Sequence, residues 1–183
     1  MGVRVHILGA SGSGTTTLAS GISNTLKIES FDADHYFWEQ TDPPFTTKRG
    51  SEERLALLKK DLDQNSSWVL SGSIVNWADT VKDRFTHVIF IFLPQATRLS
   101  RLRERERQRF GTRIDDGGDM YQQHIDFIDW AKKYDEGGLE VRSQTLHEDW
   151  LKSLTCPILK ISGELSREAQ IQKAVQWMEI GEQ

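Results

Sequence analysis

Short apolar runs alternate along this chain with longer stretches in which apolar residues recur at helical spacing. Residues 3–8, 28–31, 68–70, 88–93 and 157–161 read as five strands. The residues between them read as helices. Residues 15–26 form the first. A second begins at Ser51 as N-cap, carries Glu52 and Glu53 in its first turn, and shows a stripe of Leu55, Leu58 and Leu62. A short helix is expected over 77–84 and a longer one over 95–109, after Pro94 ends the fourth strand. Further helices are expected over 120–134 and 139–151. A last one carries Ile171, Ala174, Val175 and Met178 at i, i+3, i+4, i+7. Residues 41–50, with Pro43-Pro44, read as a loop. Strands separated by helices predict an α/β fold: a five-stranded parallel sheet covered on both faces.

Composition narrows this further. The 183 residues fit one domain, taken as 1–183. Hydrophobic residues at 37% and charged residues at 27% exclude a wholly disordered chain. No apolar run approaches the ~20 residues of a membrane span, so no membrane partner is expected. A net charge of −4 argues against general nucleic-acid binding. Cys156 is the single cysteine and cannot form an internal disulfide; before Pro157 it reads as a small core residue. The first ten residues lack a long apolar run, and His6 stands where a myristoylation signal wants Ser or Thr, so a cytoplasmic protein is expected.

The first candidate chemistry lies where the first strand meets the first helix. Gly9-Ala10-Ser11-Gly12-Ser13-Gly14-Thr15-Thr16 follows the spacing of the Walker A loop, G-x-x-x-x-G-K-[ST]. Glycines let backbone N–H groups curl around a phosphate, and the following helix points its positive end at the anion. This predicts ATP in the loop, with Thr16 facing Mg²⁺. The lysine position, however, holds Thr15. That lysine ordinarily reaches the β- and γ-phosphates, so a cation from elsewhere must substitute or the chemistry is weak.

Asp32 and Asp34 end the second strand. Residues i and i+2 of a strand project to the same side, and ligands of open α/β sheets bind beyond the strands' carboxyl ends. One carboxylate, Asp32, suits Mg²⁺; the other, Asp34, suits an acceptor hydroxyl. The competing reading is a helix cap over residues 35–39. Trp38, in the aromatic run Tyr36-Phe37-Trp38, is a candidate wall of the acceptor pocket, or else core.

Together the loop, the Asp-x-Asp pair and the element order resemble the P-loop kinases of small molecules, such as adenylate, shikimate and gluconate kinases. The resemblance implies a P-loop NTPase-type sandwich, nucleoside monophosphate kinase-like, with an arginine-rich lid near residues 105–120. It implies that Asp32 assists Mg²⁺ and Asp34 holds the acceptor. It also implies an acid at the end of the third strand, where this chain has Ser71.

Seven arginines lie between Arg98 and Arg113, opposed only by Glu104 and Glu106. Under the resemblance, Arg105, Arg109 and Arg113 close over phosphates, with Arg109 and Arg113 as catalytic cations; otherwise the segment is a solvated helix. Lys48 and Arg49, after the acidic pair, are candidate contacts for an anionic acceptor or parts of a solvated turn. The five histidines show no metal-ligand spacing, and no N-K-x-D guanine motif appears. The expectation is an ATP-binding phosphotransferase acting on a small molecule, possibly a nucleotide. The alternative is a nucleotide-binding regulatory module of weak or no activity.

Overall fold

The computed structural model describes residues 2–180. Strands β1 (Arg4–Gly9), β2 (Glu29–Asp32), β3 (Trp68–Ser71), β4 (His87–Phe92) and β5 (Ile158–Ser162) form one sheet in the order β2-β3-β1-β4-β5. Every pairing is parallel. The helices are α1 (Thr15–Leu26), α2 (Ala33–Phe37), α3 (Ser51–Asp63), α4 (Gln95–Phe110), α5 (Tyr121–Lys132), α6 (Gln144–Lys152) and α7 (Arg167–Ile180).

Side chains alternate across the strands, so each central strand feeds two cores. Val5, Ile7, Val69, Ile89 and Ile91 pack with Leu18 and Ile22 of α1 and Ala174 and Met178 of α7. Leu8, Trp68, Leu70, Val88 and Phe90 pack on the opposite face with Leu58 and Leu62 of α3 and Trp150 and Leu151 of α6. Burial on both faces explains why β3 and β4 read as unbroken apolar runs. Gly21 lets α1 and α7 approach closely: a Cβ there would lie 2.2 Å from Ile171 Cδ1. His6 is enclosed on the α6 face, stacked 4.8 Å from Phe85, with Nδ1 3.0 Å from the Leu70 carbonyl. Burial holds its pKa down to about 4.

Two elements differ from the sequence expectation. The short helix expected over 77–84 is a 3-10 turn, Asp79–Arg84. The helix expected over 139–151 starts only at Gln144, because Ser143 caps it: its Oγ accepts from Leu146 N at 2.9 Å and donates to the Gly138 carbonyl at 2.6 Å. The stripe had extended through Leu139, which is exposed. The connections place the carboxyl ends of β1, β2 and β3 side by side, at the edge where ligands of open parallel sheets bind.

Candidate active site

The loop leaving β1 is shaped by what its glycines avoid. A Cβ on Gly9 would lie 2.6 Å from the Ile91 carbonyl oxygen and 2.7 Å from Ser13 Oγ. Gly12 and Gly14 have φ of 81° and 102°, a conformation that side chains disfavour. Ser13 N donates to the Ala10 carbonyl at 3.1 Å, and Gly14 caps α1. Ser13 Oγ is buried and meets no protein partner. Beside residues 12–18 opens a cleft of about 420 Å³, also lined by Arg101, Leu102, Arg105, Leu165, Arg167 and Gln170. A helix N-terminus, an orphan hydroxyl and three arginines around one cleft fit an anionic ligand.

Asp32 ties this loop to the second strand. Its Oδ2 accepts from Thr16 Oγ1 at 2.9 Å, and its Oδ1 accepts from Asp34 N at 3.0 Å. It therefore caps α2 and orients the loop's hydroxyl at once, so the capping reading and the metal reading are compatible. Among the described residues, no group of three His, Cys, Asp or Glu side chains could hold a metal by itself. A cation here would need Thr16, Asp32 and oxygens from a bound phosphate, the pattern Mg²⁺ accepts.

Asp34 stands in the first turn of α2, exposed but with protein on several sides of its carboxyl. That crowding raises its pKa, and the Asp32 charge adds to the rise. Arg142 and Arg105 oppose the shift. At the end of β3, Ser71 pairs in register with Asp32, and its Oγ lies 3.3 Å from the Phe31 carbonyl. A Cβ on Gly72 would lie 3.0 Å from Ala33 Cβ, so this turn packs directly on the start of α2. Ser73 Oγ is 3.0 Å from His147 Nε2, and His147 Nδ1 is 2.9 Å from the Tyr134 hydroxyl. Burial, with the nearby Arg142 charge, keeps this histidine neutral, its pKa lowered to about 3.

Loop, acidic pair and sheet order now decide the family. The chain belongs to the AAA_18 family of AAA domains. That family's model matches residues 5–119, from β1 through the arginine-rich segment. The chain is 44% identical over 174 residues to "Uncharacterized protein YqaC" of Bacillus subtilis (strain 168), covering 95% of this chain and 96% of that one. Its structure is similar to shikimate kinase from Acinetobacter baumannii in complex with shikimate (TM-score 0.59, 14% identity, 99% and 95% of the two chains). It is also similar to a gluconokinase from Sinorhizobium meliloti 1021 (TM-score 0.54, 12% identity, 95% and 90%). At such identities the likeness shows the fold, which is that of P-loop small-molecule kinases.

Within this AAA_18 domain, the sequence candidates fall into two groups. Gly9, Ala10, Ser11, Gly12, Ser13, Gly14, Thr15, Thr16, Asp32 and Asp34 come together at the carboxyl edge of the sheet. The cationic candidates lie mostly elsewhere. The Arg109 guanidinium sits 4.8 Å over the Phe45 ring and 3.8 Å from Glu106. Arg113 is exposed and grips Asp119 with two nitrogens, at 2.9 and 2.7 Å. Arg49 is a strut: it donates to the Tyr36 and Trp38 carbonyls and pairs with Glu53 at 2.9 Å. Trp38 bridges Lys48 across the loop and packs edge-on to Phe37 and Phe45. Lys48 Nζ lies 6.0 Å over Phe37.

Several residues around the site escaped the sequence reading. Arg54 stacks 4.4 Å over Phe37 and 5.3 Å over Trp77, and its Nε is buried without a partner. It stands at i−4 to Leu58 and i−8 to Leu62, so a cation on the buried stripe of α3 was a visible signal. Arg167 lines the cleft from α7, together with Arg101 of the arginine cluster on α4. Arg142 reaches back to the loop, donating from Nη2 to the Gly9 carbonyl at 3.3 Å. No periodicity marks it, because it precedes a helix cap.

Proposed function

We propose that this protein is an ATP-dependent phosphotransferase that moves the γ-phosphoryl group to a hydroxyl of a small anionic acceptor. The observation that carries this reading is the shared carboxylate pair. Asp32 binds the loop hydroxyl of Thr16 on one side and fixes Asp34 on the other, so a phosphate cradle and a candidate proton acceptor are coupled through one residue. A module that only bound nucleotide would have no use for Asp34.

Ser13, Gly14 and Thr16 hold the polyphosphate by N–H and hydroxyl donors, and Asp32 with Thr16 holds Mg²⁺. When bound, the metal supplies charge neutralisation for the transferred group. Asp34 takes the acceptor's hydroxyl proton. Its raised pKa brings it nearer the working range of a general base. Arg54, with an orphan Nε in an aromatic frame, supplies an anion contact on the acceptor side.

The test is phosphorus NMR of the protein with MgATP and a panel of hydroxy acids and nucleoside monophosphates. Transfer gives ADP and a new phosphate monoester that depends on one acceptor class. The alternative reading, a binding module, draws on Thr15 and Ser71 standing where a lysine and an acid are expected. It predicts nucleotide binding with no acceptor-dependent ADP.

A further inference from the structure

Thr15 leaves the loop one positive charge short, and the structure offers a specific replacement. Four observations converge on Arg142. It donates a hydrogen bond from Nη2 to the carbonyl of Gly9, the first residue of the loop. Its Nε is buried and meets no acceptor. Among the described residues no carboxylate lies within 4.0 Å of it, unlike Arg98, Arg107, Arg109 and Arg113. Its guanidinium lies over the Trp130 ring at 5.6 Å, within cation–π range.

A role in folding does not account for this placement. Arg142 directly precedes Ser143, the N-cap of α6. The positive end of a helix repels a cation and favours an anion. Burial lowers the Arg142 pKa, and the nearby Asp34 and Asp32 charges only partly offset it. The fold nonetheless holds the residue firmly, because Gln144 N donates to the Tyr134 carbonyl at 2.8 Å and Ser143 binds back to Gly138. A desolvated cation held in place, bound only to the rim of a phosphate loop, is arranged for an anion that arrives there.

Building on the phosphotransferase reading, we infer that Arg142 is the cation that replaces the loop lysine: its guanidinium meets the terminal phosphates of the nucleotide. The charge enters from the segment before α6 instead of from the loop. Arg105 is the nearest competitor: it lines the cleft from α4 beside Arg109, but among the described residues no hydrogen bond ties it to the loop.

The test measures MgATP and AMP affinity by calorimetry for the parent, Arg142→Met and the double variant Arg142→Met, Thr15→Lys, with thermal midpoints as a check on folding. Methionine keeps the contact with Trp130. Loss of a charge-assisted bond predicts a fall of about 10- to 100-fold in ATP affinity. AMP affinity changes less than threefold by the same argument, because AMP lacks the terminal phosphates. The double variant regains most of the loss. Unchanged ATP affinity in Arg142→Met with a raised acceptor KM overturns the inference and makes Arg142 an acceptor ligand. Equal losses for ATP and AMP, unrescued by Thr15→Lys, overturn it in favour of a structural role. A parent that binds no nucleotide refutes the phosphotransferase reading itself, and the inference falls with it.

Discussion

The arginine-rich stretch of α4 and the two isolated arginines, Arg54 and Arg142, make opposite use of the same side chain. In the stretch, charge is dense, and four of the seven arginines are paired with carboxylates. Arg107 pairs with Asp115 at 2.6 Å, Arg113 with Asp119, and Arg98 turns inward to Asp135 and the Leu93 carbonyl. Among the described residues Arg54 and Arg142 have no carboxylate within 4.0 Å, and they carry buried, unpartnered Nε atoms beside the site. A cluster of arginines on an exposed face satisfies itself with neighbours and water. A lone arginine carried inward is costly to bury, so it persists where an anion or a fixed geometry requires it.

The largest expected effect tests the acidic side of the site against both arginine groups. Asp34→Asn lowers acceptor-dependent turnover by about 10²- to 10⁴-fold, the worth of a positioned general base. ATP affinity stays near that of the parent, read by calorimetry. Asp32→Asn instead shifts the Mg²⁺ concentration needed for binding, because Asp32 is the carboxylate on Thr16.

Arg98 sharpens the contrast next. It is buried at 1% exposure and ion-paired to Asp135, so it belongs to the scaffold despite lying in the basic stretch. Arg98→Ala leaves the partly exposed Asp135 with the Gln95 amide alone and empties a buried site, so it costs about 2–4 kcal/mol, read as a lower urea midpoint. Nucleotide affinity of the folded fraction is unchanged.

A smaller effect follows from pH. His6 has a pKa of about 4 in the fold against 6.5 for an ordinary histidine. The unfolded chain therefore binds the extra proton first. The His6 contribution is intact above pH 6.5 and is lost as pH falls toward 4, at a slope of about 1.4 kcal/mol per pH unit. His147, lowered to about 3, extends the same trend further into acid. Asp34, shifted upward, works in the opposite direction at the acidic end. Urea midpoints at pH 7 and pH 5 should separate for the parent and draw together in His6→Phe. The smallest effect is Arg113→Ala. Its exposed pair with Asp119 contributes little, so thermal midpoint and ATP affinity both match the parent.

Much of the fold was legible because strand and helix periodicities differ. The buried strands β3 and β4 gave unbroken apolar runs, and α1 followed a glycine-rich turn. The late start of α6 was not legible, because its apolar stripe continues outward through Val141 and Leu139 while Ser143 sets the actual cap. At the site, the loop and the Asp-x-Asp pair were readable since each is local in sequence. Arg142 was not, because it lies 133 residues from Gly9 and reaches it only through the tertiary fold. Arg109 drew attention through the basic cluster and the lid that the resemblance implies, and its place over Phe45 depends on how the 41–50 loop folds back on α4.

The most direct test of the account is a crystal structure with Mg²⁺ and a non-hydrolysable ATP analogue. The account predicts polyphosphate oxygens on the N–H groups of residues 12–16, the metal on Thr16 with Asp32 beside it, and the Arg142 guanidinium moved from the Gly9 carbonyl to the terminal phosphate. Nucleotide bound away from residues 9–16, or bound there with Arg142 still on Gly9 and another cation at the γ-phosphate, would contradict it.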